Sequence, residues 1–131
     1  MYIPPGFNTV TPYFFVKNAE SFVDFLILGL SGEETCQTMA SNSRIQNVQV
    51  KLRSSTVMVS EATDQYRPMA SAFYLYVENA DAAMTRALNQ GARLEMPVYD
   101  MPYGDRQGGV RDAHGNIWWI SQRVVEEPYS P

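Results

Sequence analysis

Apolar and polar positions alternate in short runs along most of this chain, and twice the alternation gives way to helical spacing. Residues 10–16 are predicted to form a strand with Thr11, Tyr13 and Phe15 on one side and Pro12, Phe14 and Val16 on the other. Pro12 suits a strand start or an edge, since it has no N–H to give to a ladder. From Ala19 to about Leu28 a helix is predicted, with Asn18 as its cap and Glu20 in the favourable first turn. Gly29 and Gly32 end it. Phe22, Val23, Phe25, Leu26, Ile27, Leu28 and Leu30 are about twice what one helical face holds. Such a helix is either buried between layers or gives Ile27 or Leu28 to a subunit interface. Three strands are predicted next, over 35–40, 47–53 and 56–61, with Ser54-Ser55 as the tight turn between the last two. Residues 62–69, with Asp64, Gln65, Arg67 and Pro68, read as a linker.

After the linker the pattern starts again. Phe14-Phe15-Val16-Lys17-Asn18-Ala19-Glu20 is echoed by Leu75-Tyr76-Val77-Glu78-Asn79-Ala80-Asp81: a strand, an Asn cap and an acidic first turn. The second helix carries Ala80, Ala83, Met84, Ala87 and Leu88 on one face and stops near Gly91. Strands are predicted over 92–97, 107–111 and 116–123. Gly104-Asp105 and Gly108-Gly109 mark turns or a bulge, and Asp112 to Gly115 a further turn. Ile117, Trp118, Trp119 and Ile120 are large on both faces, so that strand is buried on both. The tail from Val124 is polar and proline-bearing and reads as loose. One unit (strand, helix, three strands) therefore occurs twice, as modules 9–62 and 71–123 of a single domain, 1–131. A single unit leaves one face of its sheet bare, and pairing two sheets would bury the shared concave side.

Composition narrows the function. Hydrophobic residues at 45% and charged residues at 18% are those of an ordinary folded domain. A net charge of -4 without a basic run argues against a nucleic-acid backbone as partner. The single cysteine, Cys36, excludes an internal disulfide and is read as a packed or loop thiol. Residues 1–12 lack a basic start and an apolar run, and no apolar stretch is long enough to span a bilayer, so a cytoplasmic protein is expected.

The closing stretch carries a family resemblance. Tyr103-Gly104-Asp105-Arg106, then Gly109-Val110-Arg111-Asp112, Gly115 and Trp118, resembles the last segment of the vicinal oxygen chelate superfamily, which holds glyoxalases, extradiol dioxygenases and bleomycin-resistance proteins. The likeness runs from about Thr9 to Gln122 and points to the small bacterial glyoxalase/bleomycin-resistance-like proteins. It implies an α+β fold in which two βαβββ modules form a cupped mixed β-sheet with the helices on the outer face. Enzymes of the superfamily hold a divalent metal in the cup, on His, Glu or Gln from the first and last strands of each module. Carried over one at a time, those positions fall at Thr11, at Ala72, at Trp119 and at Met58 or Val59. None suits Zn²⁺, Fe²⁺ or Mn²⁺. The resemblance so read implies no metal, no cofactor and no catalytic residue.

What the cup would have is aromatic area. Alternation sets Tyr13 and Phe15 beside Thr11, and Tyr74 and Tyr76 beside Ala72, while Phe73, Leu75 and Val77 go to the helix layer. Trp119 joins from the last strand, with Ser121 below it and Gln49 toward the rim. Such a surface suits a flat or amphipathic organic molecule; the alternative is that the aromatics pack on one another and close an empty cup. Met101, Pro102, Tyr103 and Arg106 form the adjoining loop. Tyr103 is placed to stack on a ligand and Arg106 to pair an anionic group, unless Asp105 and Arg106 only brace the hairpin. His114, the one histidine, reads as a solvated turn residue, and Glu61 as a solvated strand-end carboxylate or a residual site. The expected function is a metal-free protein that sequesters an aromatic or amphipathic compound, in the manner of antibiotic resistance. It is expected to work as a homodimer with no nucleic acid or membrane partner. The alternatives are a lyase, isomerase or dioxygenase with a divergent active site, and a metal-free enzyme using Tyr or Glu61 as its acid–base group.

Overall fold

The structure, a computed structural model, describes residues 1–39 and 45–130. The chain divides into two units, Met1–Ala70 and Ser71–Pro131. Each carries a four-stranded mixed sheet and one helical segment, the α+β architecture that the repeat implies.

In the first unit β1 (Tyr13–Val16) leads into α1 (Ala19–Asp24), then β2 (Glu33–Met39), β3 (Ile45–Leu52) and β4 (Ser55–Glu61), in the order β1-β4-β3-β2. β1 runs parallel to β4, and the other pairs are antiparallel. β1 is shorter than alternation alone predicts. Pro12 offers the sheet only its carbonyl, which accepts from the Met58 N–H at 3.0 Å, so the ladder begins at Tyr13. The predicted strand over 35–40 starts earlier, at Glu33; its last residue, Ala40, lies outside the described residues. Cys36 is neither packed nor in a loop: it is exposed on this edge strand. The turn before β4 is Arg53–Ser54, one residue earlier than read, because Ser55 is already paired with Leu52. Arg53 takes the left-handed backbone angle there, φ 57.

The surplus of apolar residues in the first helix has a structural answer. After six α-helical residues the chain widens into a π-helical turn, Phe25–Gly29, closed by the Leu30 N–H on the Phe25 carbonyl at 3.2 Å. Phe25 and Leu26 turn inward with Phe22 and Val23, at the i, i+3, i+4 spacing of one helical face, Ile27 and Leu30 are half-buried, and Leu28, 55% exposed, points out. Gly32 follows where the backbone passes close to the core: a Cβ there would stand 2.7 Å from Val50 and 2.8 Å from the Leu26 carbonyl.

The second unit repeats the plan with β5 (Ala72–Tyr76), α2 (Ala80–Asn89), β6 (Arg93–Asp100), β7 (Asp105–Arg111) and β8 (Ile117–Arg123), ordered β5-β8-β7-β6. α2 buries Ala80, Met84 and Ala87, the stripe that the spacing predicts. β6 continues past Pro97 to Asp100, its register shifting between Met96 and Tyr99, as an edge strand allows. Gly108 and Gly109 make neither turn nor bulge: they lie inside β7, as the predicted strand over 107–111 has them, and their absent side chains make room on both faces. A Cβ on Gly108 would meet Met84 and Val98 at 2.8 Å, and one on Gly109 would meet the Trp119 ring at 2.5 Å.

The echo in sequence is an echo in register. Tyr13 pairs with Met58 as Tyr74 pairs with Trp119, and Phe14 with Val59 as Leu75 with Ile120. Both helices start on an Asn whose side chain accepts a backbone N–H, Ser21 at 3.3 Å and Ala82 at 3.0 Å. In each unit the end of the last strand also fastens the helix. Glu61 accepts from the Asn18 and Ala19 N–H groups at 2.9 Å, and Gln122 accepts from the Ala80 N–H at 3.0 Å. Glu61 is therefore a helix fastening, with both oxygens engaged, rather than a solvated or residual catalytic carboxylate.

Candidate functional site

Strand parity gives each sheet a helix-bearing face and an open face. In the first unit Phe14 and Val16 are buried against the helix side while Tyr13 and Phe15 turn the other way, their rings stacked at 4.7 Å and 12°. The Tyr13 hydroxyl bonds Ser60 Oγ at 2.7 Å and accepts from Asn47 Nδ2 at 3.1 Å. Gln49 stands in the same cross-strand row as Met58 and Tyr13, so it shares this face. Thr11 lies just before the strand and is half-buried. The segment read as a linker folds back: Met69 N–H donates to the Phe15 carbonyl, and Tyr66 stacks on Phe15 at 5.4 Å.

The second unit is built alike. Trp118 lies on the helix-bearing side, stacked on Phe73 at 4.8 Å, with its indole N–H on Asp112 at 2.9 Å. Trp119 is on the opposite face, in one row with Tyr74 and Gly109, its indole lying over the bare Gly109 backbone. Tyr74 and Tyr76 continue the face with ring centroids 5.2 Å apart. Tyr103 reaches it too, its hydroxyl on the Gln107 side-chain oxygen, and Gln107 in turn donates to Ser121 at 2.8 Å. Met101 is half-buried and closes the turn, its N–H on the Asp105 carbonyl at 2.7 Å.

Two readings of this region are corrected. Arg106 does not serve the open face: it shares a row with Gln122 and grips Asp81 with two nitrogens, at 2.8 and 3.0 Å, and Asp100 at 3.1 Å. The hydrogen bonds from Arg106 hold Asp81 below the usual carboxylate range. Arg106 thus braces the hairpin to the start of α2. The tail after Val124 is not loose either. It crosses back over the open face and sets Tyr129 on it, with the Tyr129 hydroxyl on Asp105 at 2.6 Å and on the Tyr76 hydroxyl at 2.7 Å.

Asp105 is the centre of this arrangement, and sequence reading gave it only a bracing role. It is fully buried, 0% exposed. One oxygen accepts from the Tyr74 and Tyr129 hydroxyls at 2.6 Å each, and the other from Arg123 Nη1 at 3.0 Å. Burial pushes this carboxyl up, but the hydrogen bonds from Tyr129, Tyr74 and Arg123 together hold it below its ordinary value. Burial and then the bond to Asp105 push Tyr74 up to about 12. Arg123 also lies over the Tyr129 ring, 4.2 Å from its centroid. A strand that starts at Asp105 and keeps parity through Gly108 and Gly109 puts Asp105 and Gln107 on the Trp119 face. Reading Gly104-Asp105 as a turn, with the strand starting only at Gln107, hid the placement of Asp105.

The turn with His114 is structural. Asp112 is buried and accepts from the His114 and Asn116 backbone N–H groups, the Asn116 amide and Trp118. Among the described residues no group of three or more His, Cys, Asp or Glu is placed to hold a metal ion. The register also fixes Met58 rather than Val59 as the counterpart of Trp119, since Val59 is buried on the helix side.

No family model matches the chain. An uncharacterized protein of Mycobacterium bovis is 27% identical over 128 residues, spanning 89% of this chain and 84% of its own. Among solved structures, TioX from Micromonospora sp. ML1 matches with a TM-score of 0.74 at 20% identity, over 92% of this chain and 100% of its own. TnmS3 from Streptomyces sp. CB03234, an antibiotic binding protein, matches at 0.72 and 18%, over 94% and 98%. A member of the glyoxalase/bleomycin resistance protein/dioxygenase superfamily from Sphaerobacter thermophilus matches at 0.69 and 19%, over 93% and 99%. The fold of this chain is the fold of that superfamily. Among the described residues no helix is long and apolar enough to cross a membrane.

Proposed function

We propose that this chain is a metal-free small-molecule-binding protein that sequesters an aromatic or amphipathic compound, with Trp119 at the centre of its binding surface. The observation that carries this reading is the Trp119 indole, seated over Gly109 and in one row with Tyr74. It stands where the resemblance puts a metal-binding carboxylate. Aromatic faces set side by side favour stacking with a planar group, each contact adding about 0.5–1.5 kcal/mol beyond area burial. Tyr13, Phe15 and Gln49 supply a comparable surface on the first sheet. The antibiotic binding protein TnmS3, alike in fold, supports the same reading. A metal-dependent lyase, isomerase or dioxygenase needs donors that Thr11, Met58, Ala72 and Trp119 do not offer. We take both modules to serve one domain.

The test is a fluorescence titration against a panel of planar aromatic compounds. Binding should quench Trp119, and Trp119→Ala should weaken affinity by about 2 kcal/mol while the protein still folds, because Trp118 and Ile120 stay buried on the helix side. A panel without a single binder, or a variant that binds as the wild type does, would sink the reading. One equivalent of Zn, Fe, Mn or Ni in the purified protein would overturn its metal-free part. We also infer a homodimer through the first module, where Leu28 is 55% exposed and β2 lies exposed along its length. A monomer by sedimentation at micromolar concentration contradicts that.

A further inference from the structure

We propose that the slot now filled by Tyr129 on the second module takes the phenol group of a hydroxylated aromatic ligand, and that residues 124–130 form a strap which the ligand displaces. This rests on the aromatic-binding reading above and names the class of compound bound.

The argument begins with the three donors on Asp105. Tyr74 belongs to β5 and Arg123 ends β8, so both are held by the sheet. The third donor, Tyr129, arrives on a segment with no helix or strand, exposed from Val124 to Ser130. Apart from Tyr129, that segment is tied by the Val124 N–H on the Gly104 carbonyl at 3.0 Å and by Arg123 on the Glu127 carbonyl at 2.5 Å. A segment with so little buried surface opens at low cost compared with the strands beneath it.

When Tyr129 lifts away, three groups lose a partner at once. The Asp105 oxygen loses an O–H donor, the Tyr76 hydroxyl loses its neighbour, and the Arg123 guanidinium loses the ring against its face. A replacement must therefore be flat, carry an O–H at its edge and tolerate a cation above it. A phenol meets all three conditions. An ammonium group would stand beside the Arg123 guanidinium and be repelled. A carboxylate or phosphate would meet Asp105 with no proton to give. A plain hydrocarbon ring would fill the space and leave the carboxylate oxygen short of a donor. Beside the slot, Pro102, Tyr103, Gly104 and Arg123 form the fixed wall of a recess whose other wall, Val125, Glu127, Pro128 and Ser130, leaves with the strap, so the space there opens further for the rest of a ligand larger than one ring.

The strap competes from within the chain, at an effective concentration in the millimolar range for so short a tether. Weakening it should expose the true affinity of the slot. The experiment uses the full chain and two probes matched in shape, 4-ethylphenol and ethylbenzene, titrated by ligand-observed NMR. Tyr129→Ala should bind 4-ethylphenol about tenfold more tightly than the wild type, and Tyr129→Phe, which keeps the ring and removes only the hydroxyl, should gain severalfold. On Tyr129→Ala, ethylbenzene should bind about tenfold more weakly than 4-ethylphenol, and adding Asp105→Asn, which exchanges the carboxylate for a weaker neutral acceptor, should shrink that preference severalfold. If Asp105→Asn does not fold, the comparison of the two probes on Tyr129→Ala decides alone. Equal affinity for the two probes, or no gain on Tyr129→Ala, overturns this proposal and leaves general aromatic binding, read separately through Trp119, in place. Failure of both probes together with failure of the Trp119 titration defeats both readings.

Discussion

Asp112→Ala is expected to cost the protein about 3–5 kcal/mol of stability, a large share of the roughly 5–15 kcal/mol that a domain of this kind has in total. The Asp112 carboxylate is only 3% exposed and is the acceptor for a whole corner of the second module. Trp118 Nε1 donates to it at 2.9 Å, the Asn116 N–H and amide at 3.0 Å, and the His114 N–H at 2.9 Å. Asn116 in turn accepts from the Ser71 N–H at 3.1 Å and so ties the turn to the start of β5. Alanine removes the acceptor and keeps the donors, which is the expensive way to break a buried hydrogen bond, at about 1–3 kcal/mol for each group left bare. Relaxation and an entering water recover part of that sum. Urea unfolding followed by tryptophan emission measures the effect directly. A loss under about 1 kcal/mol would show that the turn is held by something other than this carboxylate.

Gly109→Val is expected to weaken aromatic binding strongly without touching a group that contacts the ligand by hydrogen bonds. A Cβ at position 109 would stand 2.5 and 2.7 Å from two carbons of the Trp119 ring, closer than atoms approach, so the indole has to lift from the sheet. The strain should cost about 1–3 kcal/mol of stability. Emission should shift to the red as the ring meets water, and affinity for planar aromatic compounds should fall about as far as in Trp119→Ala. Gly108→Ala serves as the control. Its Cβ would press on Met84 and Val98 behind the sheet, so stability should fall while ligand affinity stays. Unchanged emission and affinity in Gly109→Val would mean that Trp119 is not where the aromatic surface is centred.

Much of this architecture is legible in the amino-acid order, because its two periods are clean. Phe14 and Val16 against Tyr13 and Phe15, and Trp118 against Trp119, follow from alternation alone, and the Asn18 and Asn79 caps follow from residue type. The repeat of the unit is legible too, but the strand order and the pairing register come from the structure. What stayed hidden has physical reasons. A π-helical turn has no sequence period of its own, so nothing in the spacing announces the widening over Phe25–Gly29. Two adjacent glycines in a predicted strand suggest a turn or a bulge, and nothing local says that one makes room for Met84 and the other for Trp119. Arg106 carries no mark of which face it serves until the parity of β7 is known. Tyr129 sits in a polar, proline-bearing stretch ordered by partners far away in the chain, a carboxylate 24 residues earlier among them, which no periodicity reports.

The repeated register also governs how the chain reaches its structure. In each module the most distant partners in sequence are the first and last strands: Tyr13 finds Met58 and Tyr74 finds Trp119, 45 residues along in both cases. Those pairings are parallel and non-local, the kind that form late because the intervening loop must close before any bond rewards it. The antiparallel hairpins β3–β4 and β7–β8 need no such closure, and once formed they present a ready edge to β1 and to β5. The chain therefore meets one slow step twice, each time over a span far shorter than its full length. Variants of the Arg53–Ser54 turn or the 112–116 turn should be felt first in the refolding rate of their own module, which stopped-flow fluorescence would read.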